Sequence, residues 1–454
     1  MNKNIILFKN NLRINDNPVL KEASKGSLLL PVYIHDESYK KKKIGSASSY
    51  FLHYSLKSLN KSLNNNLHFF IGNTLDIIKD LIKRYNINNI YIEEFFHQED
   101  IKFYKNLSNQ LKKIGIIVKF INCQLLWKPY EILKNDGTPY KIFTPYYKNR
   151  CLEIIPSIPI GNISLINFIN TKIDSNVKKL NLLSKYSWYK KFDSLYNINE
   201  KNALNILNTF IEKKIFNYKV GRDFPNHSFN SNLSPYIRFG LISINRIWHN
   251  IFSLPNSIDK YHFLSELGWR EFSYYQLYHF PMMEYSNLQI KFNNFEWEND
   301  LNHFDAWKFG KTGYPFVDAG MRQLWKTGTM HNRLRMIVVS FLVKNLLIDW
   351  RIGERWFWDC LVDADYASNV AGWQWAAGTG VDSSPYFRIF NPIIQGKKFD
   401  PNGDYIKTNI PELSEIQLKY LHEPWLINHN INYPNPIIDY KKSRLNALKK
   451  YKKL

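Results

Sequence analysis

Short apolar runs rich in β-branched residues alternate with amphipathic stretches along the first 125 residues of the chain. This alternation is typical of a parallel β-sheet covered by helices. It predicts strands at 5–8, 28–34, 68–71, 89–92 and 117–121, and helices at 48–63 and 74–85. Ligands often bind at the carboxyl ends of the strands in such a doubly wound sheet. No GxGxxG motif follows these strands, however, and no GxxxxGK[ST] motif occurs anywhere.

The pattern changes twice beyond the predicted sheet. Residues 151–200 show no sustained period and contain Pro156 and Pro159, which is typical of a linker. From about residue 203 the spacing becomes helical and predicts helices at 203–217, 242–250, 260–278, 316–327, 333–347, 353–360 and 365–378, with a basic terminal helix in 441–454. The pattern therefore predicts an α/β domain with a doubly wound parallel sheet at 1–130, an interdomain linker at 131–200 and an all-α domain at 201–454.

Composition narrows the class of protein more than it locates a site. The 61 basic and 39 acidic residues give a formal net charge of +22, which favours a polyanionic partner such as nucleic acid. Most of the cations are lysines, however, and a coding bias that also enriches asparagine and isoleucine would give the same excess. Three widely spaced cysteines fit neither a disulfide framework nor a structural metal site. No apolar run suits a signal peptide or a membrane span, so we expect a soluble, cytoplasmic protein without a metal site.

Tryptophan and arginine are concentrated in the helical half. Ten of the 13 tryptophans lie between Trp248 and Trp375, and ten of the fourteen arginines lie between Arg222 and Arg388. Indole rings stack on bases and flavins, and guanidinium groups bind phosphates. A large helical core with surface arginines would show the same distribution, so the clustering indicates a region and leaves its role open.

Glu266 and Trp269 are three residues apart in a predicted helix, with Arg270 beside them, so the first two share a face. A carboxylate can accept hydrogen bonds from a base edge while a neighbouring indole stacks on the base. A partly buried Trp269 beside a surface Glu266 is an equally simple interpretation of this segment alone.

Two further segments combine amide, thioether and indole groups. Asn332 and Met336 share a helix face, as do Asn369 and Trp373, whereas Trp375 lies about 200° around the helix from Trp373 and must serve a different neighbour. No Ser/His/Asp arrangement and no HExxH motif accompanies them. An aromatic site without an obvious acid, base or nucleophile indicates that a cofactor carries the chemistry, and redox chemistry fits best.

Three long motifs, in order, resemble those of the photolyase/cryptochrome family very closely. They are KTGYPFVDAGMRQL at 311–324, HNRLRM at 331–336 and GWQWAAGTGVDSSPYFRIFNP at 372–392. In addition, NLRINDNP at 11–18 is similar to the first βα loop of the family. The resemblance implies an α/β antenna domain followed by a helical domain that binds FAD. Within the family, the chain is most like the class I enzymes that act on cyclobutane pyrimidine dimers.

The resemblance carries the FAD-binding positions over to Tyr218, Asn230, Ser231, Asn232, Leu233, Ser234, Arg335, Asp363, Ala364, Asp365 and Asn369. Asn230 replaces the threonine that is usual at its position but keeps a hydrogen-bond donor. Arg335 and Asp363 match the ion pair that flanks the flavin. Asn369 matches the residue facing flavin N5, where an uncharged amide favours the reduced cofactor that is active in the family.

Electron transfer and DNA contacts are implied in the same way. Trp373, Trp350 and Trp297 match the tryptophan chain that passes electrons inward to FAD. The positions that match contacts to the flipped-out lesion or to the DNA around it are Arg222, Glu266, Trp269, Arg270, Asn332, Arg333, Met336, Trp375, Arg388 and Gln395. Among them Glu266, Asn332 and Met336 are expected to act at the lesion itself, together with Asn369. Enzymes for (6-4) photoproducts typically carry a histidine at the position of Met336, which favours cyclobutane dimers as the substrate.

The function implied is light-driven repair of cyclobutane pyrimidine dimers in DNA by electron transfer from reduced FAD. A cryptochrome-type blue-light photoreceptor is the alternative, and a DASH-type or (6-4) photolyase is a further one. A second antenna chromophore, methenyltetrahydrofolate or a deazaflavin, is left open, because His97 occupies the position where folate-binding members carry a glutamate and Glu99 is the nearest substitute. We expect a monomer that acts on DNA containing pyrimidine dimers without an obligate protein partner.

Overall fold

A parallel sheet organises the first 121 residues in the computed structural model, which describes residues 1–163, 166–173, 176–227, 229–427 and 431–454. The strands run in the spatial order β3-β2-β1-β4-β5, and each neighbouring pair is parallel. Because the chain passes from β3 at one edge of the sheet to β4 on the far side of β1, the sheet is doubly wound, as predicted. The strands are β1 (Asn2–Leu7), β2 (Ser27–His35), β3 (His68–Ile71), β4 (Asn89–Glu93) and β5 (Ile117–Ile121).

Four helices alternate with these strands: α1 (Pro18–Ser24), α2 (Ser46–Ser62), α3 (Thr74–Tyr85) and α4 (Gln98–Lys112). The central strands are apolar and fully buried, since Ile5 and Leu7 are each 0% exposed, as expected for a parallel sheet covered on both faces. Side-chain caps set some of the helix ends. Asn73, for example, accepts hydrogen bonds from the backbone N–H groups of Leu75 and Asp76 at 2.9 and 3.2 Å, which begins α3.

The segment 131–200, expected as a linker, packs against both domains. It contains α5 (Phe143–Asn149) and a two-residue strand, β6 (Asn167–Phe168). β6 pairs in parallel with the beginning of β2, with Asn167 opposite Leu28. Because β1 occupies the other edge of β2 at that level, β6 lies on the edge that β3 occupies further along. The segment therefore adds a short strand to the sheet.

The helical domain follows, and its elements agree with the predicted all-α architecture. α15 packs against α10, α13 and α14 near the middle of the domain. No helix within the ranges described is long and apolar enough to cross a membrane. The helices are α6 (Glu200–Lys213), α7 (Tyr218–Gly221), α8 (Ser234–Arg238), α9 (Ile244–Phe252), α10 (Ile258–His279), α11 (Leu301–Lys308), α12 (Pro315–Thr327), α13 (Asn332–Ser340), α14 (Trp350–Cys360), α15 (Tyr366–Ala377), α16 (Pro392–Phe399), α17 (Asp404–Asn409), α18 (Leu418–Leu421) and α19 (Tyr440–Tyr451).

The helix predicted at 333–347 changes geometry midway. α13 ends at Ser340 and is followed by a turn of π-helix, Phe341–Asn345. Lys344 in that turn is buried and donates hydrogen bonds to the backbone carbonyls of Arg388 and Pro385 at 3.1 and 3.4 Å. Burial, and secondarily the charge of Arg388, lowers the pKa of Lys344 to about 7. The π-helical turn therefore anchors the loop that precedes α16.

Candidate active site

A central cavity of about 580 Å³ lies in the helical domain between α10, α13 and α15. Most of the residues singled out in the sequence line it, namely Tyr218, Arg222, Ser231, Ser234, Glu266, Trp269, Arg270, Asn332, Arg335, Met336, Asp363, Ala364, Asp365, Asn369, Trp373 and Trp375. A second cavity of about 890 Å³ adjoins it, shares Ser231, Ser234 and Asp363 as lining residues, and adds Asn230, Asn232 and Leu233. Residues from six separate segments thus face one continuous space.

Five of the predicted residues line neither of these two cavities. Trp350 is buried in the helical core and Trp297 lies half-buried against it. Arg333 forms an ion pair outside the cavity, Arg388 is exposed, and Gln395 is half-buried in α16. The first two are the outer members of the proposed electron path, and the last three are proposed DNA contacts, so neither role requires them to line the cavity.

An ion pair and a helix cap shape the wall formed by residues 363–365. Arg335 Nη2 lies 3.2 and 3.1 Å from the two carboxylate oxygens of Asp363. Asp365 accepts a hydrogen bond from the backbone N–H of Ser368 at 2.8 Å and thereby caps α15. Its second oxygen accepts from the hydroxyl of Tyr274 in α10. The start of α15 is therefore fixed between α13 and α10, at the edge of the cavity.

Asn369 lies one turn into α15 and is 8% exposed. Its Nδ2 donates to Glu354 Oε1 at 2.6 Å and contacts the backbone carbonyl of Glu354 at 3.4 Å. With Nδ2 directed to Glu354 in α14, Oδ1 is the end of the amide that faces the cavity. The sequence analysis missed Glu354, because no motif or spacing links α14 to α15.

Trp373 is the buried indole of the cavity wall, with 2% of its surface exposed. Its ring makes edge contacts with Phe357, at a centroid distance of 5.0 Å, and with Trp307 at 6.2 Å. A Cβ at Gly353 would lie 2.2 Å from Cη2 of this ring, so α14 approaches so closely only because residue 353 is glycine. Trp373 Nε1 is buried and has no hydrogen-bond partner among the residues described. The ring of Trp373 is therefore held in the cavity wall by its close packing against α14 and Phe357.

Trp350 and Trp297 belong to the same aromatic region as Trp373. Trp350 is 0% exposed, and its Nε1 donates to Asn287 Oδ1 at 2.8 Å. Trp297 packs beside Phe295 with ring centroids 4.5 Å apart, nearer the surface. Trp373 and Trp350 are thus both buried in the helical core, at 2% and 0% exposed, and Trp297 is the member of the three that reaches solvent.

The wall opposite residues 363–365 combines an aromatic stack with paired charges. The ring of Trp269 stacks on Phe143 of α5 with a centroid distance of 3.9 Å and an interplanar angle of 13°. Glu266 forms an ion pair with Arg222, which also contacts His262 Nε2 at 2.8 Å. The carboxylate and the stacked indole predicted to share a face therefore both face the cavity.

Arg333 and Arg270 are engaged by neighbouring carboxylates. Arg333 Nη2 lies 2.5 Å from Asp223 Oδ1, and its guanidinium lies over the ring of Phe399 at 4.5 Å. Arg270 donates to Glu271 Oε1 at 2.7 Å and to the carbonyl of Gln124 at 3.1 Å. Burial raises the pKa of Glu271 to about 7 although Arg270 opposes that shift. Arg270 thus connects α10 to the α/β domain as well as lining the cavity.

The donor set fits a flat-ringed cofactor that carries phosphates. A volume of about 580 Å³ is within the usual range of cofactor cavities, and most of its lining is apolar. Ser231 and Ser234 supply hydroxyl donors where the two cavities meet, suited to phosphate oxygens. The amide oxygen of Asn369 faces the part that would hold the ring.

A second cleft lies where the carboxyl ends of the strands meet the helical domain, and it is named here the strand-end cleft. It encloses about 130 Å³ and is lined by Lys9, Tyr39, Lys40, Phe95, His97, Asp100 and Arg238, among others. His97 Nε2 lies 2.8 Å from Glu284 Oε2, and its ring stacks on Tyr366 at 4.6 Å. Glu99 contacts the hydroxyl of Tyr285 at 3.3 Å. Both residues considered for an antenna chromophore therefore already bind the helical domain.

Comparison with known proteins gives a consistent family assignment. The family model described as DNA photolyase matches residues 4–160, and the one described as FAD binding domain of DNA photolyase matches residues 263–453. A deoxyribodipyrimidine photo-lyase of Agrobacterium fabrum is 40% identical over 98% of this chain and 97% of that protein. Cryptochrome-2 of Arabidopsis thaliana is 32% identical over 97% of this chain and 77% of that protein.

The solved structure of a bacterial class III photolyase from Agrobacterium tumefaciens superimposes with a TM-score of 0.96 at 39% identity. It covers 100% of this chain and 98% of that one. The agreement extends over both domains, so their arrangement as well as their separate folds is shared.

Proposed function

The chain belongs to the DNA photolyase family, and we propose that it repairs cyclobutane pyrimidine dimers in DNA with light absorbed by FAD in the central cavity. One observation carries this proposal. Most of the residues matched to FAD binding and most of those matched to lesion or DNA contacts line the same cavity, although they come from segments far apart in the chain.

The FAD would be held by the lining residues already described. Ser231 and Ser234 would donate to its phosphates, and Arg335, neutralised by Asp363, would place a guanidinium beside the ring. Asn369 would present its amide oxygen to the same region. When bound and reduced, FAD supplies the excited-state electron that splits the cyclobutane ring and is then returned.

The protein's own work at the lesion is binding and the exclusion of water. Trp269 and Trp375 offer two aromatic surfaces to a flipped-out dimer, and Trp269 is held in place by its stack on Phe143. Extruding a dimer costs a few kcal/mol, which aromatic stacking worth about 1–3 kcal/mol per base can offset. Glu266 and Asn332 supply polar atoms for the base edges.

Met336 supports a cyclobutane dimer as the substrate. Its thioether lines the cavity at the position where the related (6-4) enzymes use a histidine. A thioether neither donates nor accepts a proton at neutral pH, so it provides polarizable packing only. His331, five residues earlier, does not replace that histidine, because burial, reinforced by Arg222 and Arg333, lowers its pKa to about 4.

Trp373, Trp350 and Trp297 would deliver electrons from the surface when FAD must be reduced. The position of Trp373 in the cavity wall, of Trp350 in the same buried core cluster and of Trp297 half-buried at its edge supports that path. Trp373 contributes the contact with the cavity, and Trp297 the contact with solvent.

The test is a repair assay on an oligonucleotide that carries one thymine dimer. We expect the purified, reduced protein to convert the dimer under blue or near-ultraviolet light, and not in darkness. Flavin binding and photoreduction without repair would instead favour the light-sensing role that the similarity to Cryptochrome-2 raises. An absorption spectrum with mass spectrometry of released chromophores identifies any antenna pigment, and light scattering tests the expected monomer.

A further inference from the structure

The loop between β2 and α2 contains four consecutive lysines, residues 40–43, to which the proposed function assigns no role. This loop reaches the helical domain at several points. Lys42 Nζ lies 2.6 Å from Glu354 Oε1 in α14, and the backbone carbonyl of Lys42 accepts from the Tyr366 hydroxyl at 2.6 Å. Lys42 of the α/β domain thus places its ammonium group against the helical domain, with Glu354 between it and Asn369 in the cavity wall.

Glu354 links that cation to the cavity. Its side chain is 6% exposed, and the single oxygen Oε1 lies 2.6 Å from Lys42 Nζ and 2.6 Å from Asn369 Nδ2. A buried carboxylate without a counterion is costly, whereas a paired one that also accepts hydrogen bonds is tolerated. Lys42 therefore supplies the charge that compensates Glu354 at this position.

The charge on Glu354 determines which way the amide of Asn369 points. An ionised carboxylate only accepts hydrogen bonds, so the Nδ2 end of the amide must face it and Oδ1 must face the cavity. A protonated carboxyl group can donate, which would allow the amide to turn and direct Nδ2 into the cavity. The two arrangements offer a ligand opposite partners, an acceptor in the first and a donor in the second.

We propose that Lys42, through Glu354, is a positioning residue that keeps the amide oxygen of Asn369 directed into the cavity. The proposal rests on the proposed function, in which Asn369 faces N5 of the flavin. Reduced flavin carries a hydrogen on N5 and oxidised flavin does not, so an acceptor there favours the reduced form and a donor favours the oxidised form. A lysine of the α/β domain thereby stabilises the reduced form of a cofactor bound in the other domain.

Lys42→Met tests this directly, since it removes the ammonium and retains most of the aliphatic stem. We expect the reduced flavin of this variant to reoxidise in air, in darkness, about threefold to tenfold faster, the range for one exchanged hydrogen bond. The midpoint potential of the bound flavin should become more negative. Lys42→Arg keeps the charge and should restore most of both values.

Asp359→Ala is the matched control. Oδ1 of Asp359 accepts hydrogen bonds from the backbone N–H and the hydroxyl of Ser46 at 2.9 and 2.6 Å, so it attaches the same loop to α14 without contacting Glu354. Asp359→Ala removes both bonds and should lower the melting temperature as Lys42→Met does, but leave the flavin potential unchanged. An equal change of potential in both variants would show that Lys42 acts only by docking the domains, and would overturn the proposal.

A second variant covers the case in which Lys42→Met loses its flavin. Glu354→Gln replaces the acceptor-only carboxylate within α14 and should shift the potential in the same direction. An unchanged potential in the flavin-loaded variants, with repair intact, would overturn this inference alone. A protein that bound no flavin at all would overturn the proposed function and this inference with it.

Discussion

The central cavity and the strand-end cleft share Arg238 and Asp365 as a common wall, yet one is open and the other is nearly filled. In the strand-end cleft the charged groups pair with each other across the space. Lys40 lies 2.6 Å from Asp100, and His97 lies between Asp100 and Glu284. About 130 Å³ remains, compared with about 580 Å³ in the central cavity.

In the central cavity, charged groups are paired along the walls instead. Arg335 binds Asp363 on the same side, and Asn369 is turned towards Glu354 behind the wall. The space between the walls is left to aromatic faces such as that of Trp269 and to the amide oxygen of Asn369. The difference teaches that similar residue types close a cleft when their partners lie across it, and keep it open when their partners lie beside or behind them.

The largest expected effect follows from breaking the ion pair between Arg335 and Asp363 in the wall of the central cavity. Asp363→Asn leaves Arg335 without its counterion, which typically costs about 2–4 kcal/mol when the pair is only partly exposed. We expect flavin affinity, measured by equilibrium dialysis, to fall about thirtyfold or more. Asp363→Glu should recover part of it. Asp80→Asn is the control, because it breaks an exposed ion pair with Arg84 and should leave flavin affinity unchanged. If Asp363→Asn bound flavin as tightly as the unchanged protein, the ion pair of Asp363 with Arg335 would have no role in flavin binding.

The ion pairs of the strand-end cleft predict that the stability of the protein depends on pH through His97. Burial opposes the charged imidazole, but hydrogen bonds to Asp100 and Glu284 outweigh it and raise the pKa of His97 to about 9. The imidazolium therefore contributes fully below pH 6.5, and its contribution is lost as the pH rises through about 9. His97→Gln should reduce stability by about 2–3 kcal/mol at the acidic end.

Melting temperatures of the unchanged protein and of His97→Gln, taken across this range, check that prediction. Their difference should shrink steadily with rising pH. A difference that is constant from pH 6.5 to about 9 would mean that His97 acts through packing on Tyr366 and not through its charge.

Trp269→Ala tests the central cavity, where one face of the indole has no protein partner across the space. We expect the affinity for a dimer-containing oligonucleotide, measured in darkness, to fall by about 1–3 kcal/mol. Trp325, which is 54% exposed and does not line the cavity, provides the control variant Trp325→Ala. An equal loss of affinity in both variants would argue against a specific stacking role for Trp269.

The smallest effect is expected outside the central cavity, where Asp223 forms an ion pair with Arg333. Asp223→Asn frees the guanidinium for DNA phosphates, so affinity for undamaged DNA should rise by at most about 1 kcal/mol. The gain should disappear at high salt, because contacts to phosphates are salt-dependent. Weaker binding in Asp223→Asn would show that the ion pair orders Arg333 for DNA.

Much of the fold was predictable from periodicity. The five strands and the helices appeared within a few residues of their predicted positions, because apolar spacing reports which face of each element is buried. The π-helical turn at Phe341–Asn345 was not predictable, since Lys344 is bonded there to carbonyls more than forty residues later. The strand at Asn167–Phe168 escaped notice because two residues have no period.

The candidate site, like the fold, was only partly predictable from the sequence. Motifs identified Asn369, Asp363 and Trp269 one by one, and their placement around one cavity came from the packing of α10, α13 and α15. Glu354 carries no sequence signal, because its importance depends on a partner in another helix and on Lys42 in another domain.

The sequence by itself determined the α/β and all-α halves, the family and many of the polar and aromatic residues that line the central cavity. Only the tertiary structure decided which charges face each other, and therefore that the strand-end cleft is nearly filled, that Arg270 binds the carbonyl of Gln124, and that Lys42 reaches Glu354. The physical reason is one of range. Propensity and periodicity act over a few residues, whereas an ion pair depends on a few ångströms between segments that may be hundreds of residues apart.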